Sequence, residues 1–219
     1  MLQIKLNGRY QGLWPLPPDA APDPVFDASP RNSYIAVESG KLKFFETSLE
    51  GLVLLRYNQF EIKKDLHMEI TMMERRIELY FTLTPYVYSV DTLGEFRLSE
   101  LRMGLQFIPN LRRSAALKAD QLYKVFSIVM TVPYFKQLCS HFHRFEFIQQ
   151  LVNTDTPFHF CLPNQFPATL SLCDSIHTIL NCNYQGSLKT LYLHAVVKGA
   201  LIGALTALTK ESVSFFQAV

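Results

Sequence analysis

The sequence predicts an α+β fold, an antiparallel β-barrel followed by three helices, and three observations carry that reading. About ten short β-rich runs separated by turns fill the chain up to residue 132. After Pro133 the apolar residues recur at three- and four-residue intervals instead of alternating. The last long segment, around Leu188 to Thr209, is apolar on more than one helical face. With 219 residues, 48% of them hydrophobic, the chain can bury a substantial core as one ordinary domain or two small ones.

Ile4, Leu6 and Tyr10 open the first strands. Pro15, Pro17, Pro18, Pro22, Pro24 and Pro30 then fix φ and remove backbone donors, so residues 14–31 are expected to form an irregular Pro-rich arm. Strands resume at Tyr34–Val37, Lys41–Thr47, Leu52–Ile62, Met68–Met73, Ile77–Thr84, Tyr86–Val90, Glu95–Leu98, Leu105–Ile108 and Tyr123–Val132. Val53, Leu55 and Tyr57 alternate with more polar positions, as do Ile77, Leu79, Phe81 and Leu83. These residues are expected to face the interior, because a slip of one residue would bury Arg56 or Glu78 instead.

Phe135, Leu138, Cys139, Phe142, Phe145, Ile148, Leu151 and Val152 describe an amphipathic first helix from Pro133 to Asn153. A loop, Thr156 to Gln165, leads to a second helix starting near Pro167, with Leu170, Cys173, Ile176, Ile179 and Leu180 on its buried face. Ser187 is a suitable N-cap for the third. The pattern divides the chain into a barrel over 1–132 and a helical region over 133–219. In the third helix Ala195, Gly199, Gly203 and Ala207 recur every four residues, a stripe of small side chains suited to close contact with the same helix of a second chain in a homodimer or with the helix from Pro133 to Asn153. The same helix is long enough to cross a bilayer, but Lys189, His194 and Lys198 argue against a membrane span.

A formal net charge of +2 gives no concentrated basic face for nucleic acid, and Arg75-Arg76 and Arg112-Arg113 are expected to be solvated pairs. The amino terminus lacks the apolar run of a secretion signal, and the four cysteines show no CxxC spacing, so buried reduced thiols in a cytoplasm are expected. His141-Phe-His143-Arg-Phe-Glu146 is the one metal-like cluster. On a helix its two histidines diverge, so no metal is assigned. No nucleophile motif, Walker loop or dinucleotide fingerprint occurs, which leaves no catalytic residue and no cofactor. Trp14, the only tryptophan, starts the Pro-rich arm, where its ring either pins the arm or lies over a pocket mouth. With Tyr57 and Phe81 on inward strand positions it completes the candidate ligand-binding set, core filling being the alternative role for the latter two.

The segments SGKLKFFETSLEGLVLLRYNQF, ERRIELYFTLT and KVFSIVMTVPYFKQL, with IHTILNCNYQGSLKTLYLHAVVKGALIGAL, resemble the amino-terminal regulatory half of AraC-type transcription regulators. The likeness is strongest to the branch that includes siderophore-responsive members. Ile179-Leu180-Asn-Cys182-Asn-Tyr184-Gln-Gly186 and Leu188-Lys-Thr-Leu191-Tyr192-Leu193 carry it. The resemblance implies a cupin-like barrel that senses a small-molecule effector, a helical part that makes a homodimer, and DNA contact only through a carboxyl-terminal domain outside this sequence. A metal-dependent cupin-fold enzyme and a stand-alone protein-binding adaptor are the alternatives.

Overall fold

The computed structural model describes residues 2–16, 26, 32–91, 93–98, 100, 102–140, 145–162, 167–210 and 214–217. The expected barrel takes the form of two antiparallel sheets facing each other, with helices on the outer face of the larger one. Chain order begins with β1 (Leu2–Leu6) and β2 (Arg9–Gln11), a hairpin closed by Asn7-Gly8 at positive φ, as a two-residue hairpin turn requires. Next come β3 (Trp14–Pro15), β4 (Ser33–Val37), β5 (Gly40–Leu49), β6 (Val53–Ile62), β7 (Leu66–Met72) and β8 (Arg76–Thr82). They are followed by β9 (Tyr86–Val90), β10 (Gly94–Leu98), β11 (Arg102–Phe107), β12 (Leu111–Leu117) and β13 (Gln121–Thr131).

Four helices occur among the described residues, the first expected helix corresponding to α1 (Val132–Ser140) and α2 (Glu146–Asn153), on either side of residues 141–144, which lie outside the described ones. After them come β14 (Phe158–Leu162), α3 (Pro167–Leu180), α4 (Gly186–Lys210) and β15 (Ser214–Gln217). The smaller sheet runs β10-β9-β12-β7-β1-β2, and the larger runs β15-β14-β11-β8-β13-β6-β5-β4-β3. The segment expected as a loop at Thr156 to Gln165 therefore contains a strand, β14, hydrogen-bonded to β11. Its Phe-His-Phe-Cys-Leu alternation is the period-two signal of that strand.

The larger sheet is buried on both faces, which changes what inward means. Val53, Leu55, Tyr57, Ile77, Leu79 and Phe81 are all buried, with Leu83 packed at the edge of the same cluster, but they lie on the helix-covered face. There they meet Phe135, Ile148, Val152, Ile176 and the inner face of α4, formed by Leu193, Val197, Ala200, Leu201, Ala204 and Leu205. Leu55, Leu79 and Ile128 are completely buried, each contributing about 1.5–3 kcal/mol of burial. The opposite residues of the same strands, among them Phe44, Phe60 and Tyr80, enter a second core against Leu6, Met68, Tyr88 and Phe96 of the smaller sheet.

Two features of the arm differ from expectation. Trp14 and Pro15 form a short edge strand against Tyr34 and Ser33, a position that tolerates proline because its N–H side is unpaired. Trp14 is 64% exposed and does not pin the arm, whereas Phe26 is fully buried beside Phe45 and Tyr57. Asn32 secures it, donating through Nδ2 to the Phe26 carbonyl at 2.9 Å and accepting from the Glu46 amide at 3.1 Å.

Candidate functional site

Because the large sheet is covered twice, polar side chains on the sandwich-facing parity are enclosed instead of solvated. The register sets two neighbouring rows across its central strands: Glu46, Arg56, Ser127, Tyr80 and Gly104, then Leu54, Val129, Glu78, Gln106 and His159. Arg56 Nε donates to Glu46 Oε1 at 2.7 Å with both side chains under a fifth exposed. Gln106 donates its amide to Glu78, and Arg113, from the facing β12, brings Nη2 to 3.5 Å from the same carboxylate oxygen. Arg113 is only partly exposed, its side chain 13%, and the solvated-pair reading of Arg112-Arg113 fails for this residue.

Burial drives the Glu78 carboxyl upward in pKa, but the Arg113 and Arg56 guanidiniums and the Gln106 hydrogen bond outweigh it. The group is held below the ordinary carboxylate range. Arg113 also lies over the Tyr88 ring, 4.4 Å from its centroid. Tyr88 and Tyr80 both direct their hydroxyls at His159 Nε2, at 3.4 and 2.5 Å, while Phe96 meets the imidazole edge-on at 4.0 Å. Burial first, and the nearby Arg113 charge second, lower the His159 pKa to about 3, so the ring is neutral at physiological pH.

This polar interior leads to an opening between the sheets. A void of about 20 Å³ lies among Arg56, Glu78, Gln106, Ile108 and Leu111, large enough for about one water-sized molecule. It adjoins a cleft of about 340 Å³ walled by Leu13, Phe44, Glu46, Leu54, Arg56 and Arg76, with which it shares Arg56, Met72, Glu74 and Arg76. Among the described residues Gln106 Oε1 and Asn58 Oδ1 are buried acceptors without a hydrogen-bond partner, and both face the sandwich interior. Such an arrangement can hold a polar organic molecule through donors and ion pairs. No group of three or more His, Cys, Asp or Glu placed to hold a metal occurs among the described residues.

The residues singled out from sequence do not converge. Trp14 follows Leu13 of the cleft wall in the chain, whereas Tyr57 and Phe81 pack under the helices. His141 and His143 lie outside the described residues. On α4 the small-residue stripe divides: Ala195 and Gly199 are exposed with open space at Gly199, while Gly203 faces Leu172 of α3 and Ala207 is buried. Gly186–Ala207 is long and apolar enough by composition to cross a membrane, yet one face of it is core here. Arg56, Tyr80, Glu78, Gln106, Arg113 and His159 were not legible as a set, because only the cross-strand register brings them together.

The sequence matches the family described as "Regulatory protein PchR N-terminal domain" over residues 44–214. No curated protein sequence matches. Among solved structures the chain is similar to the AraC-like transcriptional activator CuxR, at 9% identity and a TM-score of 0.53, over 80% of this chain and 59% of that one. At this identity the likeness is one of fold, and the chain spans well under two thirds of that protein. Lesser similarity is found to the cupin domain of Schizosaccharomyces pombe Cnp3, at 13% identity and TM-score 0.34, covering 44% of this chain and 65% of that one. The cupin-2 domain protein Rru_A2000 from Rhodospirillum rubrum gives 15% identity and TM-score 0.31 over 47% and 72%.

Proposed function

The chain belongs to the family of PchR N-terminal regulatory domains, and from that membership we propose that it senses a small-molecule effector and dimerises as the regulatory half of an AraC-type transcription regulator. Its work is binding and shape change, carried out in the cytoplasm, with DNA gripped by a further domain. The observation that carries the sensing role is the cleft between the sheets, floored by the partly buried Glu46–Arg56 pair and continuous with the Glu78, Gln106 and Arg113 cluster. Ion pairs at so low an exposure are costly to build and contribute little net stability, which is easier to understand where recognition needs them.

The strands offer a route from cleft to helices. Arg56 and Tyr57 are consecutive on β6, as are Tyr80 and Phe81 on β8, one of each pair facing the sandwich and the other the helical core. A ligand that moves Arg56 thereby changes the packing of Tyr57. Differential affinity for two such arrangements is all that linkage requires. The dimer is assigned to the exposed face of α4, where Leu188, Leu191 and Ile202 accompany Ala195 and Gly199.

Titration of the chain with ferric siderophore complexes, followed through the emission of Trp14, tests the sensing role. A saturable change that disappears in Arg56→Met is expected. No saturable response to any of these complexes, or one that Arg56→Met leaves unaltered, would remove the cleft from the proposal.

A further inference from the structure

A second pocket lies on the other side of the large sheet, where the β5–β6 turn, α1 and α4 meet, and we propose that it binds a small organic carboxylate. It has a volume of about 370 Å³, within the range of small-molecule sites. The turn enters it because Glu50 and Gly51 both adopt positive φ, at 51° and 72°, which folds Glu50 and Leu52 back toward the helices. On α1, Tyr134, Gln137 and Leu138 follow at helical spacing and share one face. On α4, His194 and Lys198 are four residues apart and do the same.

The chemistry of the lining selects the ligand. Tyr134 is 8% exposed, and its hydroxyl is buried with no hydrogen-bond partner among the described residues. Burial, with the Glu50 charge adding to it, raises the phenol's pKa, so it stays a donor in want of an acceptor. Glu50 is turned toward His194, with Oε2 3.4 Å from Nε2. Lys198 has no carboxylate within ion-pair distance among the described residues and is the spare charge of the pocket. A carboxylate with one oxygen on Tyr134 Oη and the other on Lys198 Nζ satisfies both, and an apolar body then rests on Leu52 and Leu138. With one free cation among the described residues, and the Glu50 carboxylate beside it, a monoanion is favoured over a phosphate dianion. An occupant would fasten α4 to the barrel turn and to α1 at once.

Calorimetric titration with cyclohexanecarboxylate, against cyclohexanecarboxamide as its neutral counterpart, tests the site on the whole chain. The carboxylate is expected to bind saturably and the amide at least about tenfold more weakly, as the loss of a charge-assisted hydrogen bond implies. Tyr134→Phe and the exposed Lys198→Gln should each weaken the carboxylate by about tenfold while thermal melting shows a folded chain. Lys63→Gln, an exposed change just past β6 that lines neither pocket, should leave it unchanged. Absence of carboxylate binding, equal binding of acid and amide, or full carboxylate binding in Tyr134→Phe would each overturn the proposal. The siderophore titration reads Arg56 and Trp14, so either reading can fail while the other stands.

Discussion

Gly104 shows how tightly the interior is specified at single positions. It stands opposite Tyr80 in the β8–β11 ladder, and a Cβ built on it would lie 2.2 Å from the Tyr80 hydroxyl and 2.5 Å from the ring carbon bearing it. The tyrosine crosses the vacant side-chain position of Gly104 while its hydroxyl meets His159 of β14. Gly104→Ala should therefore lose about 1–3 kcal/mol in urea unfolding, the usual result of overpacking a filled core. Gly199→Ala, with nothing within 4 Å of the added carbon, should gain up to about 1 kcal/mol from helix propensity. Equal effects of the two changes would contradict the placement of Tyr80. The sequence offered no hint of this pairing, since a glycine in a strand signals only that something approaches closely. The enclosed charges are hidden for a related reason: Arg56 and Glu78 sit on strands whose alternation reads as having one wet face. The apolar Leu54, Phe60, Ile62 and Tyr80 on that same parity were the evidence for two covered faces.

At the scale of elements, strands with strong alternation were legible and those with mixed composition were not. β12 is not legible in the sequence because Leu111-Arg-Arg-Ser-Ala-Ala-Leu117 has no β-branched or aromatic residue, and its identity comes from pairing with β7 and β9. β14 is hidden because it interrupts a helical stretch, and a strand inserted between helices has no local signal beyond five alternating residues. The small-residue stripe of α4 was legible as a close-packing surface but not as one with two partners. Gly203 would place a Cβ 3.6 Å from a Leu172 methyl, so Gly203→Leu should overpack α3 and lower stability by about 1–3 kcal/mol. Gly199→Leu meets open space within the chain. If the exposed half of the stripe is the dimer contact, this change acts twice across the two-fold axis and should give monomers in sedimentation velocity with an unchanged melting temperature. A Gly199→Leu chain that stays dimeric would move the dimer interface to another face.

For the molecule as a whole, the neutral imidazole inside the sandwich makes acid stability a readout of the interior. An unfolded histidine takes up its proton near pH 6.5, whereas His159 in the folded chain does so only at about 3. Between those values the unfolded state binds a proton that the folded state refuses, so stability falls as pH drops, by at most about 1.4 kcal/mol per pH unit from this residue. Glu78, also held below its ordinary pKa, adds a loss of the same sign, but only once the pH nears the unfolded carboxylate value of 4.5. The interval from pH 6.5 to about 5 therefore isolates the histidine from Glu78. Urea unfolding across pH 8 to 5 should show a plateau and then a decline in the natural chain. In His159→Gln, which retains a side-chain partner for the Tyr80 hydroxyl, the decline should be shallower by up to about 1.4 kcal/mol per pH unit, whatever the variant's stability at pH 8. Parallel declines would mean that His159 carries its proton within the fold. In that case a positive imidazole would stand beside Arg113, and the Arg113–Glu78 pair could not be the charge balance of the sandwich interior.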